Sequence, residues 1–346
     1  MLALRKTAPA PGLTLVETEP PAPPGPGEVT LQIVAAGICG SDLHAYEWTA
    51  GYAFMTDRMP VTLGHEFAGR VAAVGAGVSD LAPGDRVTAW PTVSCGMCEA
   101  CRSNRPQDCQ AREIVGLHRN GGFARYVVLP ARNCVRLPDG LDFELAALAE
   151  PLAVAANAID VGGVRIGDVV AVLGPGPIGL GLAWLAQRAG AEPVILAGLN
   201  DALRLDCARR MGITHTVDLA HTSLDEAVAR IAGRPADVVL EATGVGASVT
   251  AGLGVLRSSG VLVVAGVHAQ PLQLDLTQLV RMKHQLRGAH DTRREVWLRV
   301  LRLLQAHGAE LSQMISHRLD LADGVHGFEL ARRKDAVKVL LRPGDD

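Results

Sequence analysis

The sequence predicts an α/β protein in two parts, a compact β-barrel-like domain followed by a parallel sheet with helices on both faces. Short β-branched or alternating runs, VTLQIVAAGIC, FAGRVAAVG, DRVTAW and FARYVVLP, are separated by Gly, Pro and Asp turns through about the first 150 residues. From Val169 onward continuous apolar runs, VVAVLG, PVILAG, ADVVLEATG and VLVVAG, alternate with helical patterns, as expected of strands buried on both faces. A length of 346 residues is enough for two separate cores.

Taken in order, a Pro/Gly-rich stretch, EPPAPPGPGE, links a first hairpin to the strand that carries Cys39. The texture changes near residue 150, which sets the expected domains at 1–152 and 153–291. Residues 292–346 read as a long helix (REVWLRVLRLLQAHG), a strand-like MISHRLDL, and a closing helix and strand.

Four cysteines fall within fifteen residues, Cys95, Cys98, Cys101 and Cys109, in the spacing C-x2-C-x2-C-x7-C. Thiolates this close converge on one metal, and four sulfurs complete a closed tetrahedral zinc shell, so this lobe, about residues 93–111, is expected to be structural. An iron–sulfur cluster is disfavoured because the fourth cysteine follows seven residues later and lacks the adjoining proline. A second, mixed donor set lies upstream: Cys39, then the adjacent His65 and Glu66, with Glu150 in AEPLA as an additional ligand or supporting partner. One thiolate, one imidazole and one carboxylate leave a zinc position open, so this site is expected to be catalytic. A cation there would bring an alcohol's pKa toward neutrality, and hydride would then pass to a nicotinamide. Ser41 and His44, in the turn after Cys39, suit a hydroxyl-to-imidazole proton relay, and Asp42 suits bracing of the turn or of a ligand imidazole.

In VVAVLGPGPIGLGLAWLAQRAG, Gly174, Gly176 and Gly179 stand in G-x-G-x-x-G register between a strand and a helix, with a second strand about twenty residues on. The glycines allow a tight turn, a close approach to a pyrophosphate and close helix–strand packing, and the helix N-terminus supplies partial positive charge. The acidic residue expected at the end of the next strand is missing: Leu199 stands near that position and Asp201 comes two residues late. Arg204 is then free to contact a ribose or its phosphate; NAD is the expected cofactor, with NADP as the alternative.

Bulk properties narrow the partners. A formal charge of −3 and the absence of a long basic run argue against nucleic acid, and no basic recognition helix adjoins the cysteine lobe. No apolar run reaches membrane-spanning or signal-peptide length without interruption. Seven cysteines, five of them at metal-ligand spacings, fit a reducing cytoplasm better than a disulfide scaffold.

Taken together, GICGSDLH, LGHEFAG, the four-cysteine lobe, GGFARY, the glycine loop, EATG and VLVVAG, in that order, resemble the zinc-containing medium-chain alcohol dehydrogenases over nearly the whole chain. The resemblance implies a GroES-like barrel domain plus a Rossmann domain, with residues 292–346 returning to the catalytic part. It implies catalytic zinc at Cys39, His65 and Glu66 with Glu150 as a variable partner, structural zinc at the four cysteines, and a relay through Ser41 and His44. It extends the cofactor-binding set to Pro177, Ile178, Thr243, Ala265, Gly266 and Val267, and implies a homodimer or homotetramer. Glu66 after His65, with DLHAYEW and the C-terminal ISHRLDLADGVHGFELARRKDAVKVLL, resembles the sorbitol and threonine dehydrogenase branch. The expected substrate is a secondary alcohol: a polyol, a sugar alcohol or an L-threonine-like compound. The segment TAGYAFMTDRMP departs from threonine dehydrogenases and offers only Glu47 and Asp57 to hold an ammonium group, so threonine and polyols stand level. The reading from another class is a non-catalytic relative, structural or cofactor-sequestering, which would have no reason to keep Cys39, Ser41, His44, His65 and Glu66 together.

Overall fold

The strand Glu28–Gly37 organises the N-terminal part: Val29, Leu31, Ile33, Ala35 and Ala36 are all buried along it. On one side it pairs antiparallel with Glu66–Val74. Its other side is shared. Tyr126–Pro130 covers residues 28–32, and Lys338–Arg342, just over three hundred residues away in sequence, covers Ala36 and Gly37. The structure is a computed structural model that describes residues 1–344.

The sheet built on this strand runs Cys134–Arg136, Arg86–Ala89, Glu66–Val74, Glu28–Gly37, Lys338–Arg342, Ile315–Asp320, with Tyr126–Pro130 as the seventh strand. A three-stranded sheet of Thr14–Glu17, Leu2–Lys6 and Val61–Thr62 closes part of the same core. Phe328, on the helix Gly324–Arg332, lies in that core with its ring 5.4 Å from Tyr46 and edge-on to Phe123 at 5.9 Å. The cysteine lobe is tied at its base by the short antiparallel pair Thr92–Val93 and Glu113–Ile114.

The second part is a six-stranded sheet in which every pair is parallel. Its order is His215–Asp218, Val194–Gly198, Val170–Leu173, Ala236–Glu241, Leu256–Val264, Gln285–Gly288. The strand order reverses between Val170–Leu173 and Ala236–Glu241, and in such sheets ligands bind beyond the carboxyl ends of the strands at that reversal. The helix Pro177–Arg188 is buried without interruption from Gly179 to Ala186, which is why its sequence reads apolar all round.

By internal packing, one unit comprises Met1–Glu150, Arg293–Gly308 and the C-terminal segment from Ile315, and the other comprises Pro151–Thr292 and Ala309–Met314. The short stretch Ala309–Met314 groups with the second unit, where Glu310 accepts from Trp184 Nε1 at 2.8 Å. Phe328→Ala is expected to cost about 3–5 kcal/mol, as loss of a fully buried aromatic ring does. The readout is a lowered melting temperature; an unchanged melt would show that the C-terminal helix is not needed for this core.

Candidate active site and cofactor loop

Two residues past the end of the central strand, Cys39 sits in extended backbone (φ −93°, ψ 160°) and caps the helix Gly40–Glu47. Its amide donates to Asp42 Oδ2 at 3.0 Å, so the carboxylate of the first helical turn braces the turn that presents the thiol. The other Asp42 oxygen lies 3.4 Å from His65 Nδ1. Asp42 thus braces the turn and sets a carboxylate beside the His65 ring, whose opposite nitrogen, Nε2, lies 3.1 Å from Ser41 Oγ. Cys39 and His65 are in hydrogen-bond contact, and burial, reinforced by the Glu66 carboxylate, pushes the Cys39 thiol up.

Glu66, expected among the ligands, meets a cation of the chain itself in this structure. Its carboxylate accepts from Lys338 Nζ at 2.6 and 2.7 Å, and Nζ donates also to Ile38 O at 2.8 Å. Both side chains are buried, and two opposite charges that cannot reach water pair with each other. Burial pulls the Lys338 ammonium down, but Glu66 and Cys39 outweigh it and hold it above its ordinary value. The pairing needs Gly37: a Cβ there would collide with Glu66 Oε2. Glu150, buried in the first turn of the helix Ala149–Gly162, adds a second carboxylate whose field reaches Cys39 and Lys338.

Ser41 and His44 do not bond to each other. Ser41 bonds His65 and the phenol of Tyr52, while His44 stacks on the Tyr52 ring at 5.7 Å with its Nδ1 3.4 Å from Thr49 Oγ1. Tyr52 comes from the 3₁₀ segment Ala50–Arg58, and burial pushes its phenol well above the usual range. The ring run continues from Tyr52 to Phe54 at 5.8 Å and from Phe54 to His118 at 4.6 Å. Burial and the Arg58 charge lower His118.

Cys39, His65 and the neighbouring carboxylates are donors of the kinds zinc takes, and among the described residues the ligand atoms already gathered tightly enough for an ion are those of the cysteine lobe. Asp42 on Nδ1 leaves the Nε2 lone pair of His65 for a metal, the carboxylate–imidazole arrangement typical of zinc ligands. In the cysteine lobe the ligand atoms of Cys95, Cys98, Cys101 and Cys109 all lie within 4.8 Å of one another. The separations of 3.4 Å (Cys98–Cys101) and 3.9 Å (Cys95–Cys101) bracket the edge of about 3.8 Å that a tetrahedron of zinc–sulfur bonds requires. Amides of Met97 and Cys98 lower the Cys95 thiol to about 6, while burial and the neighbouring thiols push Cys101 up to about 11. Crowded sulfurs that cannot all ionise alone can do so around a cation.

In the second unit Gly174 follows its strand with φ +99°, and its amide donates to Ala197 O at 2.9 Å. Gly176 caps the helix that begins Pro177, Ile178, and Gly179 packs so closely on Gly174 O that no Cβ fits between them. Thr243, Ala265, Gly266 and Val267 gather around Glu241, a fully buried carboxylate whose role the sequence did not reveal. Its Oε1 accepts from the amides of Thr243 (2.6 Å) and Gly244 (2.9 Å) and from the Thr243 hydroxyl (2.5 Å). Its Oε2 faces His268 Nε2 at 3.1 Å. Its main-chain oxygen accepts from Ala265 and Gly266. The strand before the missing acid ends at Gly198, one residue earlier than expected; Leu199 is exposed, and Arg204 lies 3.4 Å from Asp201.

Lys338→Met is expected to destabilise the first unit by about 3–5 kcal/mol, because Glu66 would be left buried and uncompensated. Adding Glu66→Gln should recover part of the loss in a thermal melt; a single substitution without effect would show that the pair is not buried in solution.

Residues 25–139 match the family described as "Alcohol dehydrogenase GroES-like domain", and residues 177–306 match "Zinc-binding dehydrogenase". The sorbitol dehydrogenase of Halalkalibacterium halodurans is 34% identical over 348 residues, covering 100% of each chain. The L-threonine 3-dehydrogenase of Anaeromyxobacter sp. is 35% identical, covering 99% of this chain and 98% of that one. A Sinorhizobium meliloti protein of the zinc-binding dehydrogenase type, solved bound to NADP, superposes with a TM-score of 0.87 at 33% identity, covering 99% of both chains. With its two halves matching the two domains of one family, and with relatives aligned from end to end, the chain belongs to the zinc-dependent medium-chain alcohol dehydrogenases, in the sorbitol and threonine dehydrogenase-like branch.

Proposed function

We propose that this zinc- and NAD(P)-dependent alcohol oxidoreductase acts on a neutral secondary alcohol of the polyol type. The observation that carries the reading is Asp42, which holds the Cys39 turn and stands 3.4 Å from His65, beside the ring run of Tyr52, Phe54 and His118. Cys39, His65 and Glu150 are the proposed ligands of the catalytic zinc, with Glu66 held back by Lys338. Zinc, when bound, supplies the Lewis acidity that makes an alcohol acidic enough to lose its proton near neutral pH. Ser41 is placed to take that proton, and Tyr52, touching both Ser41 and His44, orients the pair. Asp42 keeps its carboxylate against the Nδ1 side of His65. Glu47 and Asp57, the groups that suited an ammonium, are both exposed, and the field of Glu47 acts on Arg332; this favours polyols over threonine.

The lobe of Cys95, Cys98, Cys101 and Cys109 is proposed as the structural zinc site. Gly174, Gly176, Pro177, Ile178, Gly179, Thr243, Ala265, Gly266 and Val267 are proposed to bind the dinucleotide. A homodimer or homotetramer is supported by the sheet-edge strand Gln285–Gly288 and by exposed Leu276, Val280, Met282 and Leu286 on it and just before it. No helix among the described residues is long and apolar enough to cross a membrane; a cytoplasmic setting is supported by the seven free cysteines.

Cys39→Ser is expected to abolish alcohol-dependent cofactor reduction while leaving the melting curve near that of the parent; full turnover would remove Cys39 from the catalytic centre. Cys98→Ser should lower both the melting temperature and the bound zinc, from two ions per chain toward one. Across a panel of polyols, sugar alcohols and L-threonine, polyols should give the highest kcat/KM. Preferential turnover of L-threonine would overturn the substrate assignment, and silence of a protein holding two zinc ions across the panel would favour the non-catalytic reading.

A further inference from the structure

In dinucleotide-binding sheets of this order, a carboxylate at the end of the second strand hydrogen-bonds the adenosine ribose and rejects a 2′-phosphate. Here that strand, Val194–Gly198, ends in a residue with no side chain. The position is also closed to one: a Cβ on Gly198 would stand 2.9 Å from Pro175 Cγ, in the glycine loop itself. On its own, this would leave NAD and NADP undistinguished.

The neighbouring strand supplies the missing charge. Asp218 closes His215–Asp218 and is registered directly opposite Gly198, and adjacent strands are about 4.8 Å apart. Its carboxylate leans toward the Gly198 end: Oδ1 accepts from the amide of Asn200, two residues past Gly198, at 3.0 Å, and from Ala220 N at 3.0 Å. Asn200 is held in the left-handed region (φ 50°), which turns its amide toward that oxygen. The two amides that would otherwise be available to a phosphate are therefore already spoken for by a carboxylate. Arg204, the cation the sequence offered to a phosphate, is in contact with Asp201.

We infer that Asp218, reaching across from the adjacent strand, replaces the absent acid of Val194–Gly198 and makes this chain select NAD over NADP. The inference rests on the dinucleotide reading of the glycine loop. A 2′-phosphate arriving beside Asp218 would meet a fixed negative charge and two amides whose hydrogens are already used. A ribose hydroxyl would meet an acceptor.

The test is the dissociation constant of NAD and of NADP for the zinc-loaded protein, by titration calorimetry. Wild type is expected to bind NAD at least tenfold more tightly than NADP, about 1.4 kcal/mol. Asp218→Asn keeps an oxygen for both amides while removing the charge. It should bring the ratio toward parity, chiefly by tightening NADP, and Asp218→Ser provides a second charge-free variant. Equal or tighter binding of NADP by wild type would overturn the inference, as would an unchanged ratio in the variants or an equal loss of both nucleotides. Binding of neither nucleotide by wild type would instead bring down the dinucleotide reading itself.

Discussion

The ion pair between Lys338 and Glu66 sets the geometry around which the catalytic half is arranged. Neither group reaches water, so each is tolerable only in the other's presence. Satisfying the pair requires Lys338–Arg342 to lie beside the end of Glu28–Gly37, Glu66 to open the strand on the other side, and Gly37 to leave room between them. The same contact fixes Ile38, whose carbonyl takes the third Lys338 bond, and Cys39 follows directly. The position of the thiol is thus set by a salt bridge one residue behind it.

Around that pair, charge is distributed so that each acidic group has a separate task. Asp42 holds a turn and an imidazole, Glu66 is neutralised by an ammonium, and Glu150 contributes an anionic field to Cys39. In the second unit Glu241 does for the cofactor strands what Asp42 does for the thiol: a buried carboxylate gathers amides and fixes loop conformation. Both halves place their chemistry on the ends of rigid strands, with carboxylates supplying the last hydrogen bonds that loops cannot make for themselves.

What the sequence made legible was local. The four cysteines, the glycine loop and the turn after Cys39 each occupy one short stretch whose spacing has a direct chemical meaning, and the apolar runs of the parallel sheet announce themselves without alternation. What stayed hidden was distant or depended on orientation. Lys338 stands 272 residues from Glu66, inside a strand whose KVLL reads as ordinary edge chemistry. Nothing near Glu66 in sequence announces the ammonium that it meets. The Tyr52 contact that joins Ser41 to His44 comes from a 3₁₀ segment with no periodic signature. Asp218 is invisible for the same reason: only sheet register sets it opposite Gly198.

The shared side of Glu28–Gly37 has a consequence in time. A ribosome delivers the chain from its N-terminus at about 5–20 residues per second, so the 272 residues between Glu66 and its partner take roughly 15–55 s to emerge. During that interval the central strand can already pair with Glu66–Val74 and Tyr126–Pro130, but its Cys39 end remains an open edge. The nascent protein has the cysteine lobe and the glycine loop in hand long before Lys338 can reach Glu66. That ion pair is among the last to form in biosynthesis, and a prematurely released fragment would keep the parallel sheet with the strand end before Cys39 still unzipped.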